Sequence, residues 1–169
     1  MLLFFFTQVC FAAQEENAID KKHPPADLKI TSDKMTVSKD QSVVEFEGEV
    51  KAVRADSVLS ADSLKVFFHT AETKKDGQSN IKRILAVGNV EYTDGEHKAF
   101  ADEADYDMAD EILMLTGEQA RLLTGKSWIS GRKITLFKAQ GRVVVESAGT
   151  TKVEAFFDAD DQGRPMDKP

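Results

Sequence analysis

The sequence predicts an all-β fold in which bent antiparallel strand pairs stack around one apolar interior. The first observation is a pattern written three times. It reads Val44-Glu-Phe46-Glu-Gly48-Glu-Val50 and then Leu59-Ser-Ala61-Asp62-Ser-Leu64-Lys-Val66. It returns as Ile84-Leu-Ala86-Val-Gly88-Asn-Val90 and then Ala99-Phe-Ala101-Asp102-Glu-Ala104-Asp-Tyr106. A third copy reads Leu113-Met-Leu115-Thr-Gly117 and then Ile129-Ser-Gly131-Arg-Lys-Ile134-Thr-Leu136. Gly48 to Ala61 and Gly88 to Ala101 each span 13 residues, and Gly117 to Gly131 spans 14. The second observation is the period-2 alternation of apolar residues inside each copy, the signature of a strand with one buried face. The third is a small residue in the middle of every strand, which marks a bend, a bulge or a close backbone approach. Such a shell suits a container or conduit better than a catalyst.

The elements follow in order. Residues 1–13, MLLFFFTQVCFAA, form an apolar run that breaks abruptly at Gln14-Glu15-Glu16-Asn17, as a secretory signal segment does, with cleavage near Ala12 or Ala13. The run is shorter than the roughly 20 apolar residues of a bilayer span. It lacks a Lys/Arg leader, so the true start lies upstream or that leader is absent. A buried first strand is the other reading. Residues 14–27 form a polar linker containing His23-Pro24-Pro25. Leu28 to Val37 opens the strands, since Ser32-Asp33-Lys-Met35-Thr-Val37 matches Ala61-Asp62-Ser-Leu64-Lys-Val66. The 69–80 segment is a polar insertion with Asp76-Gly77 as its turn. Thr93-Asp94-Gly95-Glu96, Ala109-Asp110-Glu111 and Thr124-Gly125-Lys126 are hairpin turns. Ala99 to Met108 carries helix-forming residues, yet it aligns with the strand text of Leu59 to Phe68 and is read as a strand. Arg142 to Phe157 is the last strand, and residues 158–169 are read as a disordered acidic tail. The domain therefore spans 28–157.

Alternation assigns the inward face to Val44, Phe46, Val50, Leu59, Leu64, Val66, Phe68, Ile84, Val90, Tyr92, Tyr106, Leu113, Leu115, Ile129, Ile134 and Leu136. Charged residues such as Glu45, Glu47, Lys65, Arg83 and Glu91 fall between them. Ala61 and Leu64 are three apart, so both face inward only if the corner takes up one residue. After Gly117 a further residue intervenes, which reads as another bulge. Pattern alone leaves two interiors open: a closed, dry core or a groove.

Composition narrows the function. The chain of 169 residues carries 22 Lys+Arg against 29 Asp+Glu, a formal charge of −7. No basic cluster tracks a phosphate backbone, so nucleic acid is not an expected partner. The same acidity opposes an anionic membrane surface. The one cysteine, Cys10, lies in the signal segment in a poor lipoprotein context, so no disulfide framework is expected. Ala120-Arg-Leu-Leu-Thr-Gly125-Lys126-Ser127 fits only the loosest phosphate-loop pattern, and strand text follows where a helix is needed. His23, His69 and His97 lack partners at metal-ligand spacing and read as solvated loop residues. Asp158-Ala-Asp160-Asp161-Gln-Gly163 lacks the closing acid of a calcium loop. Asp62 and Asp102 recur beside the bends and read as caps on corner N–H groups. No nucleophile elbow occurs. No catalytic residue, metal site or cofactor is therefore assigned.

Taken in order, Ser-Asp-Lys-Met-x-Val, Val-x-Phe-x-Gly-x-Val, Ser-Ala-Asp-x-Leu-x-Val, Ala-x-Gly-Asn-Val-x-Tyr, Ala-Asp-x-Ala-x-Tyr and Leu-Thr-Gly…Ile-Ser-Gly-x-x-Ile-Thr-Leu resemble the LptA/OstA-like family of periplasmic lipopolysaccharide-transport proteins, over about Leu28 to Phe157. The resemblance implies a folded-over β-jelly roll of V-shaped strands with an apolar groove for the acyl chains of lipopolysaccharide. It also implies a periplasmic location, head-to-tail homo-oligomers, and contacts with inner- and outer-membrane transport components through edge strands. The inward residues above would then be lipid-binding. The 69–80 loop is longer than the family pattern, and the leader is curtailed. An inner-membrane anchored LptC-like component is an alternative, as is a secreted closed-core β-sandwich binding module. An enzyme is the weakest reading.

Overall fold

The computed structural model describes residues 28–159, apart from 39, 41, 71–72, 74–78, 96 and 150–151. The signal segment 1–13, the linker 14–27, the Asp76-Gly77 turn and the tail from 160 onward lie outside the described residues. Among the described residues ten strands form one antiparallel sheet: β1 (Leu28–Thr31), β2 (Lys34–Ser38), β3 (Val43–Arg54), β4 (Ser57–Phe68), β5 (Ile81–Asp94), β6 (His97–Asp107), β7 (Ile112–Thr124), β8 (Ser127–Phe137), β9 (Arg142–Glu146) and β10 (Glu154–Phe156). A single 3-10 turn, Lys138–Gln140, is the only helical element among the described residues.

The six strands β3 to β8 pair in sequence order. Their hairpins close on the expected turns. Gly95 takes φ +54° between β5 and β6. The Asp107 carboxylate accepts the Ala109 and Asp110 N–H groups between β6 and β7, an Asx turn. Ala99 to Met108 is strand up to Asp107, so the repeat outweighs local helix propensity.

Each long strand breaks register at its middle. Gly48 and Glu49 on β3 oppose Asp62 alone on β4. Gly88 and Asn89 on β5 oppose Asp102 alone on β6. On β7 three residues, 117–119, oppose Arg132 alone. These are β-bulges, and they supply the residue that lets apolar side chains point inward on both sides of the corner. The extra residue after Gly117 is the wider bulge of β7. Gly48 and Gly88 adopt φ +80° and +82°, a conformation that side chains resist.

An aspartate sits over three corners. A Cβ on Gly48 would collide with Asp33 Oδ2, and one on Gly88 with Asp62 Oδ2. The Asp33 N–H donates to the Gly48 carbonyl at 3.0 Å. Asp62 Oδ2 accepts from Asn89 Nδ2 at 2.9 Å. Asp102 Oδ2 accepts the Glu118 N–H at 2.9 Å. The Asp102 carboxylate thus caps a corner N–H group, whereas Asp62 takes a corner side chain instead.

The bends divide the sheet into two leaves. The first leaf holds β2, the segments on the 43–47 side of each long strand, and β9. The second holds β1, the segments on the 50–54 side, and β10. Leu28 to Val37 is therefore not one continuous strand. It is interrupted at Ser32-Asp33, the corner, and its two pieces pair with the two arms of β3. Arg142 to Phe157 likewise divides into β9 and β10, each paired with a different arm of β8.

One apolar cluster joins the leaves. Val50, Leu64, Val66, Val90, Leu115 and Ile134 are fully buried, with Ala61, Ala86, Ala99 and Ala120 among them. Burial of this kind contributes about 25 cal/mol per Å² of apolar surface.

Gly88→Val is expected to lower stability by roughly 1–3 kcal/mol, because it combines a positive φ with a collision at Asp62. Gly95→Ala, at a left-handed φ but with open space around it, should cost less, about 1–2 kcal/mol from the backbone alone. Thermal melts would check the pair, and equal losses would remove the aspartate corner as the cause.

Candidate lipid-binding groove

Strand register arranges the inward side chains in rows that cross the whole sheet. In the first leaf one row runs Val37, Val44, Val66, Ile84, Tyr106, Leu113, Leu136 and Val143. The row beside it, nearer the corner, runs Met35, Phe46, Leu64, Ala86, Ala104, Leu115, Ile134 and Val145. In the second leaf the matching row is Ile30, Ala52, Leu59, Tyr92, Ala99, Leu122, Ile129 and Ala155. These rows exist because residues in register share a face.

Depth separates the sixteen residues assigned to the interior. Val50, Leu64, Val66, Val90, Leu115 and Ile134 are 0–2% exposed. Phe46, Leu59, Phe68, Ile84, Tyr92, Leu113, Ile129 and Leu136 are half-buried and pack against that cluster. Val44 and Tyr106 are half-buried beyond it. The apex of the V is thus packed, while its mouth exposes part of an apolar lining. Ile30, Ala52, Ile81, Leu122, Val143 and Val145 also belong to the interior. Leu122 lies beyond the wide β7 bulge, where alternation counted from Leu115 loses phase. Ala52 follows Val50 at the period-2 step, so its place is legible in the alternation.

The mouth has a polar edge. The Tyr92 hydroxyl donates to Asp94 Oδ2 at 3.1 Å and lies 3.3 Å from Ser57 Oγ. The Lys138 ammonium sits 5.3 Å from the centre of the Tyr106 ring. Burial raises the Tyr92 phenol above its usual value, and the Tyr106 phenol adds to the effect. Burial also raises Tyr106, with Glu111 pushing the same way and Arg54 opposing.

Outside the bend is an open cleft of about 540 Å³, lined by Val87, Asp102, Glu103, Thr116, Gly117, Glu118 and Arg132. Its three carboxylates and one guanidinium suit water, not acyl chains. His97 is half-buried on β6. His69 departs from the solvated reading: both ring nitrogens are buried without a partner among the described residues. It closes the end of β4, where its N–H donates to the Asn80 carbonyl at 2.9 Å. His23 lies outside the described residues.

Comparison with known proteins places this geometry. A solved structure of LptH, the LptA homologous periplasmic component of the lipopolysaccharide transport device from Pseudomonas aeruginosa, superposes with a TM-score of 0.66 at 14% sequence identity, covering 79% of this chain and 96% of that one. The shared fold is the β-jelly roll of the LptA type. An uncharacterized protein, R00383, of Rhizobium meliloti (strain 1021) is 24% identical over 123 residues, which is 72% of this chain and 66% of that protein. The family described as LptA/(LptD N-terminal domain) LPS transport protein matches residues 29–142. The chain belongs to that family of lipopolysaccharide-transport proteins.

Proposed function

We propose that this protein is a periplasmic, non-catalytic carrier that holds lipopolysaccharide acyl chains between its two leaves and passes them along a bridge from the inner to the outer membrane. The half-buried apolar row at the mouth, Val44, Ile84, Tyr106, Leu113 and Leu136, carries the reading, together with family membership. Each exposed CH₂ costs about 0.8 kcal/mol in water, and a continuous lining removes that cost along the path. Acyl chains meet the mouth rows first. They reach Leu64, Leu115 and Ile134 only as the leaves separate, because those side chains are already enclosed.

The two ends of the sheet supply the joints. At one end β1 and β2 leave Met35 and Val37 60% and 54% exposed. At the other, beside β9 and β10, Val153 just before β10 is 45% exposed. Unpaired strand edges accept further strands, from another copy or from the inner- and outer-membrane transport components. Unlike ends joining head to tail do not close on themselves.

Photo-reactive residues at Phe46, Ile84 or Tyr106 are expected to crosslink lipopolysaccharide in cells, and Ile134 more weakly, whereas Glu45, Arg83 and Lys133 on the outer face should not. Equal crosslinking from both faces would remove the groove.

The chain has two tyrosines, so phenolate absorbance reads Tyr92 and Tyr106 directly. Both should titrate above pH 10.0, and further above it once acyl chains fill the mouth. Since folding raises these values, their contribution to stability is intact below pH 10.0 and is lost as pH climbs through the folded-state values. Titration unchanged by lipopolysaccharide would place the acyl chains elsewhere.

Light scattering of the purified protein should give a concentration-dependent ladder of masses, shortened by Met35→Lys at the β2 edge. A strict monomer at high concentration would replace the bridge with a shuttle.

A further inference from the structure

The two outward faces of the V differ in their charge. On the first leaf, charged side chains pair across strands: Lys34–Glu47, Lys65–Glu45, Arg83–Asp105 and Lys133–Glu146. The charges of that face are largely paired, and it too carries aromatic rings, Phe67 and Phe137, with the Arg83 and Arg142 guanidinium groups 5.5 and 4.0 Å from the ring centres. On the second leaf, the outward row nearest the hairpin tips runs Lys29, Val53, Val58, Thr93, Lys98, Leu123, Trp128 and Phe156. The next row runs Thr31, Lys51, Ser60, Glu91, Phe100, Arg121, Ser130 and Glu154. Together these rows carry four cations, Lys29, Lys51, Lys98 and Arg121, against two carboxylates, Glu91 and Glu154. No ion pair crosses between strands in these rows among the described residues.

Aromatic rings share this face with the cations. Trp128 stacks on Phe156 with centroids 6.4 Å apart. The Arg121 guanidinium lies 5.0 Å above the Trp128 ring. Phe156 is 48% exposed and Phe100 37%. Val53, Val58 and Leu123 do not belong to the interior cluster. An outward apolar stripe with Trp, Phe and unpaired lysines is the composition that settles at a membrane–water interface, rings at headgroup depth and cations against lipid phosphates.

We infer that the outer face of the second leaf is a docking surface for an anionic lipid bilayer. The occupant follows from charge complementarity: the face has a local cationic excess on a chain whose formal charge is −7. The overall acidity, which opposes an anionic surface, thereby orients the molecule. This is the side that faces the bilayer. Lipid held between the leaves is not required, so this surface stands or falls separately from the groove.

Trp128 is the only tryptophan and lies on this face, which makes it a native probe. The purified protein would be mixed with phosphatidylglycerol/phosphatidylcholine vesicles bearing brominated acyl chains, and with phosphatidylcholine vesicles alone. The expected result is a blue shift and quenching of Trp128 with the anionic vesicles only, fading as salt rises. Lys51→Glu with Lys98→Glu should lower the bound fraction about tenfold or more. Lys65→Glu with Lys133→Glu, on the other outer face, should lower it less than about twofold. Melting curves would establish that both double variants are folded. Emission unchanged by anionic vesicles overturns the inference, as does equal quenching by both vesicle types. Quenching that survives Lys51→Glu/Lys98→Glu would come from lipid between the leaves and also overturns it. A fall in oligomer mass for that variant, without any vesicle response, would assign the face to a second copy instead.

Discussion

A strand that lines two facing walls must solve a problem of phase. Paired residues share a face, so where one strand crosses the corner in three steps, Leu64 to Ala61, and its neighbour in four, Phe46 to Val50, the longer one must take up an extra residue. In this molecule the correction is a bulge at the middle of each long strand pair. Without it, Val50 and Leu64 could not both be buried with Phe46 and Ala61 in one cluster. The aspartates over Gly48, Gly88 and Gly117 fill the space that a side chain on each glycine would need. The corner is therefore the constraint from which the leaves, the packed apex and the half-open mouth all follow.

Depth then varies with distance from that corner and with place across the sheet, since Val66 and Ala99 in the outer rows are buried at mid-sheet while Met35 near the corner is exposed at the edge. Near the apex, alanines and branched residues fit closely: Ala61, Ala86 and Ala120 beside Leu64, Leu115 and Ile134. Toward the hairpin tips the leaves diverge and the same faces carry larger, half-buried side chains such as Tyr92, Tyr106 and Leu136. A packed apex fixes the angle between the walls, and a looser mouth leaves surface for a guest. Interiors at native density resist insertion, whereas a partly exposed rim accepts it with little loss of contact.

Much of this is legible in the residues, and the limits have physical causes. The repeated Gly and the three-residue step from Ala61 to Leu64 are enough to place the bends. Alternation names a face but not a depth, so it cannot separate enclosed Leu64 from half-buried Tyr106. The text of Leu28 to Val37 runs on through Ser32-Asp33 as one strand because it matches Ala61-Asp62. The ladder is broken there since the segment serves both arms of β3 at the corner. Leu122 falls out of the pattern because the β7 bulge adds a residue beyond the repeat. The apolar outer row of Val53, Val58, Leu123 and Trp128 is hidden in the linear text, since each residue sits next to a hairpin turn. Only pairing across six strands aligns them.

The strict sequence order of β3 to β8 has a kinetic meaning. Every principal pairing joins strands adjacent in the chain, so the loops that must close during folding are short, apart from the 69–80 connection between β4 and β5. Sheet proteins fold slowly when their strands pair across long separations; here that entropic barrier is largely missing. Any hairpin can form first and serve as the template on which the next is laid down, as in a repeat array. Growth by single hairpins also means that the chain can acquire structure from either end. Its apolar rows are then covered progressively, and the interval in which they stand open to aggregation is brief.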